Sequence, residues 1–155
     1  FVTKDNVHEA TNLEKIRSLM ANAERLGEDE VVKRCKKRIF EIAGNEGETE
    51  IEIRLFQALA AYEEILREKH NKAVRANYTK RKIKNKGVIQ TLTDWALDKK
   101  VTPGFEALVS QGLEDFTGEK IVIDFAEEFP VEVVDSASIK LKNVLEEIEN
   151  EKLSD

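Results

Sequence analysis

Cysteine is nearly missing from this chain: Cys35 is the only one. It excludes an internal disulfide and fits a reducing compartment. No apolar run approaches the roughly 18 residues that a membrane-crossing helix requires. The opening stretch, "FVTKDNVHEA", lacks the basic end and apolar core of a signal peptide. Cytoplasmic location, with no membrane partner, is the expectation. The chain opens on Phe1 rather than methionine, which raises the further expectation of a fragment of a longer protein. Histidine is as scarce as cysteine. His8 and His70 lie far apart, and neither has a second His or a Cys close by in sequence. HExxH, CxxC, GxSxG and phosphate-loop patterns are also missing. No metal or cofactor is expected, and no pair of groups stands out as acid, base or nucleophile. By itself the chain does not read as an enzyme.

Two prolines and seven glycines in 155 residues leave room for long uninterrupted helices. Hydrophobic residues make up 41% and charged residues 36%, enough for one packed core under a heavily solvated surface. Thr11 and Glu14 form a capping box ahead of Leu13, Ile16, Leu19 or Met20, Ala23 and Leu26, which share a helical face. Gly27 ends that helix, and "EDE" opens a second one whose buried stripe is Val31, Cys35, Ile39 and Ile42. The two read as an antiparallel helical hairpin. Thr49 and Glu52 repeat the capping-box spacing, and Ile51, Leu55, Leu59, Tyr62 and Leu66 carry a long helix to about His70.

Later elements follow the same logic. Val88, Ile89, Leu92, Trp95 and Ala96 make a compact amphipathic helix. Thr102 and Pro103 start a short one, with Pro at a position where its missing donor is harmless. In "GEKIVIDFAEEFP", β-branched residues favour strand, whereas Ile121, Phe125 and Phe129 recur at helical spacing. Helix is the preferred reading, with a small β-hairpin at 120–134 as its alternative. Ser136 or Ser138 is expected to begin the last helix, with Leu141, Val144, Leu145 and Ile148 inside. The sum is an all-α bundle of six to seven helices. Residues 1–10 would be a flexible lead-in and 11–152 one domain: hairpin plus long helix to 70, a basic segment at 71–87, and C-terminal helices at 88–152.

The basic segment breaks with the rest. Arg67 to Lys86 holds nine Lys or Arg against one acidic residue, Glu68, so this window carries +8. The chain as a whole is −6, which leaves −14 for everything else. Helical periodicity fails here, and the charges surround the whole circumference. A helix that buries so little needs a partner to complete its surroundings. Cations at Arg75, Lys80, Arg81, Lys82, Lys84 and Lys86 suit phosphates. Tyr78 suits base stacking, Asn77, Asn85 and Gln90 suit base edges, and Thr79 adds a phosphate contact. Lys33, Arg34, Lys36 and Lys37 form a second patch that would extend the first if the hairpin lay alongside.

These residues point to a helical DNA- or RNA-binding domain, an accessory module of a larger bacterial processing protein such as a nuclease. The competing reading is a protein-interaction or self-association module built from helical hairpins. A standard helix-turn-helix around Gly87 fits poorly, because the second helix carries Asp94 and Trp95 where a reader helix wants basic and polar groups. Two smaller features have plain explanations. "DFTGEK" with Asp124 offers acidic groups and a lysine near a strand-like run, an arrangement that resembles restriction-type nuclease cores. Those need a mixed sheet, and a helix cap accounts for the residues. Cys35 sits among cations that would favour a thiolate, but it also lies on the buried stripe, and a small core residue is the reading we carry forward.

Overall fold

The structure, a computed structural model, describes residues 13–71 and 76–154. The lead-in, His8, the cap at Thr11, and Lys72 and Arg75 of the basic segment lie outside the described residues. Among those described, all regular structure is helical. In chain order it consists of α1 (Leu13–Arg25), α2 (Asp29–Gly44), α3 (Glu50–His70), α4 (Asn77–Lys86), α5 (Val88–Leu97), α6 (Pro103–Ser110), α7 (Gly118–Asp124) and α8 (Val131–Ser154). Two single 3-10 turns, Glu114–Phe116 and Ala126–Glu128, flank α7.

Local chemistry sets most of these boundaries. Gly27 and Gly112 both have φ of 72°, a left-handed conformation that costs glycine nothing. At each, the chain folds back on its helix: Glu28 N–H donates to the Ala23 carbonyl at 2.9 Å, and Leu113 N–H to that of Leu108 at 2.8 Å. Helix carbonyls that would otherwise lack donors are satisfied this way. At the start of α3, Thr49 Oγ1 accepts from Glu52 N–H at 3.2 Å. The Glu52 carboxylate reaches back to Glu48 N–H at 3.1 Å, one residue short of a strict capping box. Thr102 and Thr117 cap α6 and α7 in the same manner.

α3 lies between two cores. One side meets Ile16, Met20, Cys35, Ile39 and Phe40 from α1 and α2. The other, through Leu55 and Ala58, meets Leu92, Ala96, Ile121, Val122 and Ala137 from α5, α7 and α8. Phe40 stacks edge-on against Phe116 with ring centroids 5.0 Å apart. A side chain like Phe40, fully buried, contributes on the order of 2–3 kcal/mol. A third, smaller cluster joins Phe105 and Val109 of α6 to Leu141 and Val144 of α8.

Several sequence expectations need correcting. There are eight helices among the described residues rather than six or seven. No β-hairpin forms at 120–134; α7 ends at Asp124 and the chain takes a 3-10 turn before Pro130. The apolar residues there divide between packing directions, with Ile121 and Val122 fully buried and Phe129 seated after the turn. α8 begins at Val131 and not at either serine, because the Pro130 carbonyl accepts from Val133 and Val134 N–H and starts the helix itself. Ser136 instead donates from Oγ to the Ala96 carbonyl at 2.6 Å, which ties α8 to α5. Leu13, Leu26 and Leu145, expected inside, are exposed.

Candidate nucleic-acid interface

α4 contains no buried residue, so its position depends on groups around its inner half. Ala76, just before the helix, is buried, and its N–H donates to Glu63 Oε2 of α3 at 3.1 Å. Lys80 Nζ lies 3.6 Å from the same oxygen. On the other flank Lys82 Nζ meets Asp94 Oδ2 of α5 at 2.7 Å, while Gln90 Nε2 holds Asp94 Oδ1 at 2.8 Å. Ile83 fills the space between, half-buried against the second core. The hydrogen bond from Lys82 comes first among the causes that hold the Asp94 carboxyl below its ordinary range, followed by that from Gln90. Gly87, at φ 90°, then turns the chain directly into α5.

These attachments sort charges that the sequence distributes around the whole helix. At 3.6 residues per turn, Asn77, Tyr78, Arg81, Lys84 and Asn85 fall within an arc of roughly 120°. All five are exposed, and Tyr78 is 76% accessible. Neither Arg81 nor Lys84 has a carboxylate within salt-bridge distance among the described residues. Lys80 and Lys82 border the arc and are neutralised by the body of the protein. Thr79 faces inward and Lys86 ends the helix, exposed. The result is a ridge with two unneutralised cations, two amides and a phenol, on a helix that lacks any acidic residue.

The second basic set is not assembled with this ridge. Lys36 is buried, 2.6 Å from Glu68 Oε1 of α3 and 2.9 Å from Gln111 Oε1. Lys33 lies over Gly112, where its Nζ occupies the space a side chain would need. Arg34 is exposed and Lys37 half-exposed on the outer side of α2.

The other chemical candidates resolve into structure. Cys35 is fully buried. Burial, and secondarily the charge of Glu24, pushes its thiol above the ordinary value despite the surrounding lysines. The acidic groups near α7 are dispersed among cations. Arg54 binds the Asp115 carbonyl and the Asp124 carboxylate, and Lys120 binds Asp124 as well. Burial works to raise the Asp124 carboxyl, but the Lys120 and Arg54 hydrogen bonds and charges outweigh it and leave it lowered. No cluster of three metal-ligating side chains exists among the described residues. Sequence reasoning missed the long-range ion pairs, among them Arg17 with Glu64 and, most enclosed on both sides, Lys140 Nζ to Glu119 Oε2 at 3.0 Å. The latter two lie 21 residues apart on different helices; the "DFTGEK" run draws notice to Glu119, but no flanking pattern marks Lys140 as its partner.

The sequence matches no protein-family model, and comparison with the curated proteins and the solved structures finds no match.

Proposed function

We propose that the chain is a helical nucleic-acid-binding domain and that the outward arc of α4 carries the contact, as part of a larger cytoplasmic DNA- or RNA-processing protein. The observation that supports it most is the sorting of cations. Lys36, Lys80 and Lys82 are matched to carboxylates, while Arg81 and Lys84 face solvent beside Tyr78, Asn77 and Asn85. Cations meet phosphates, the phenol stacks on a base, and the amides reach base edges. The net charge of −6 does not oppose this, since fields are screened over about 8–10 Å at ordinary ionic strength.

Anisotropy titrations of labelled duplex and single-stranded oligonucleotides against salt test it. Each neutralised phosphate adds about −0.9 to the log–log slope on duplex and about −0.7 on single strands. Engagement of Arg81 and Lys84 therefore contributes about −1.8 to the slope on duplex. Arg81→Glu should weaken binding and leave the unfolding midpoint in place. A flat slope, or wild-type affinity in Arg81→Glu, refutes the proposal.

A second reading draws on the last turns of α8, where Glu146, Glu147, Glu149 and Glu151 are all exposed. That acidic stretch complements α4 of a second copy. Light scattering separates the two readings, since self-association raises the mass with concentration and salt lowers it again.

A further inference from the structure

A cavity of about 210 Å³ lies between α3, α5, α6, α7 and α8, with Thr79 of α4 at its edge. Tyr62, Trp95, Phe105 and Phe116 all contribute to its wall. Two of these rings rest on bare backbone. A side-chain carbon on Gly104 would come within 2.7 Å of Tyr62 Cε1, and one on Gly118 within 2.3 Å of Trp95 Cε3. Glycine at both places lets the rings lie directly against the chain, which fixes the wall.

The polar part of the lining is the enclosed Lys140–Glu119 pair. Lys140 Nζ donates to the Trp95 carbonyl at 2.8 Å and to Glu119 Oε2 at 3.0 Å. An ammonium has three hydrogens, so one remains without a protein partner among the described residues. Glu119 Oε1 likewise accepts no protein hydrogen bond there. The hydroxyls of Thr102 and Thr117, also in the lining, are already engaged as caps. The Lys140–Glu119 pair thus sets a donor beside an acceptor within aromatic walls, with the hydroxyls of Thr79 and Thr102 also in the lining. The volume falls below the roughly 300 Å³ at which drug-sized sites begin, so one small ring is the right scale. Lys100 and Asp98, both exposed, line it as well and place a cation near solvent.

We infer that this cavity binds a single nucleobase, its ring against Tyr62 and Trp95 and its donor–acceptor edge on Glu119 and Lys140. Every nucleobase presents a ring N–H or amino group next to an acceptor, and enclosed bases are read by that edge together with aromatic contact. The base can come from a free nucleoside or from an unpaired nucleotide in a strand. The inference does not depend on the α4 ridge.

Trp95 is the only tryptophan, so its fluorescence reports this site alone. Uracil, the four ribonucleosides and oligouridylate are titrated into the intact protein. Saturable quenching is expected. 1,3-Dimethyluracil, which lacks an N–H for Glu119, should bind at least about tenfold more weakly than uracil. The double change Glu119→Leu/Lys140→Met should remove saturable quenching by any base. If that variant proves unfolded by circular dichroism, amide shifts of the native protein on adding uracil decide: changes centred on Tyr62, Trp95, Gly104, Gly118, Glu119 and Lys140 support the site, and changes only elsewhere overturn it. Equal binding of the dimethyl analogue, undiminished quenching in the folded double variant, or no quenching by nucleosides or oligouridylate also overturns it. Quenching by nucleosides alone identifies the free base as the source, and quenching by oligouridylate alone identifies a strand. Salt-dependent oligonucleotide binding that survives the double variant keeps the α4 ridge and removes only a role for this cavity in it.

Discussion

Breaking the Lys140–Glu119 pair one residue at a time should cost far more than removing it whole. The side chains are only 7% and 10% accessible. Glu119→Leu leaves an enclosed ammonium with the Trp95 carbonyl as its sole acceptor. A stranded buried charge costs about 3–5 kcal/mol, a large fraction of the roughly 5–15 kcal/mol that holds a domain together. For a chain of this size the melting midpoint should fall by about 6–20 °C. Lys140→Met strands the carboxylate instead, at a similar cost. The double change replaces both charges with apolar groups of similar length. Desolvation and attraction then vanish together, and stability should return to within about 1 kcal/mol of wild type or exceed it. Urea unfolding at pH 7, followed by circular dichroism for all four proteins, closes the cycle. Single variants within about 0.5 kcal/mol of wild type would mean that water already reaches the pair. A double variant as unstable as the two single losses summed would make the sites independent and refute the reasoning.

Other consequences are checked more simply. Asp94 has a lowered carboxyl in the folded protein, so its contribution is complete above the unfolded value near pH 4 and disappears as pH falls through the folded one. Amide protection in α4 should therefore decline on acidification below about pH 4, more steeply than in Asp94→Asn; equal profiles would remove Asp94 from the clamp. Gly118→Ala would press a methyl against Trp95, and a loss of about 1–3 kcal/mol is expected, with a shift in Trp95 emission; wild-type stability and emission would show that the ring moves freely. Native Cys35 should resist iodoacetamide at neutral pH until urea exposes it, and prompt alkylation of folded protein would contradict its burial.

Legibility in the sequence follows the range of the interaction. Thr49, Thr102 with Pro103, Gly27 and Gly112 act within six residues of themselves, and each does in the structure what its spacing announces. The stripe Val31–Cys35–Ile39–Ile42 needs only a neighbouring helix, and its first three members are buried while Ile42 is half-buried. Errors appear where a distant partner decides. Ser136 has the right chemistry for a cap, but the Ala96 carbonyl, 40 residues earlier, claims its hydroxyl. Leu13, Leu26 and Leu145 continue the correct periodicity to places that no other described element covers. Within the basic segment, composition reveals that cations are concentrated. Among the described residues Glu63 and Asp94 determine which of them are neutralised, and neither is near enough in sequence to be assigned a lysine in advance. The Lys140–Glu119 cavity lies furthest out of reach, since six helices contribute to it.

The attachments of α4 also bear on how binding and order are related. Its inner half is held by a half-buried Ile83, one buried residue at Ala76, and ion pairs to Glu63 and Asp94. Partly exposed ion pairs contribute about 0–1 kcal/mol each, so α4 should open locally well below the free energy of global unfolding. A polyanion on the outward arc would bind the docked helix better than the released one, and each state would then stabilise the other. Salt acts on both links at once. It competes for the phosphate contacts of Arg81 and Lys84, and it screens the pairs at Lys80 and Lys82 that keep those residues in register. The observed salt slope should therefore exceed the number of phosphates touched. The excess should appear, with no nucleic acid present, as faster amide exchange in residues 77–86 when salt is raised from about 50 to 500 mM. Exchange in that segment indifferent to salt would mean that α4 is docked by its apolar contacts alone, and the slope would then count phosphates directly.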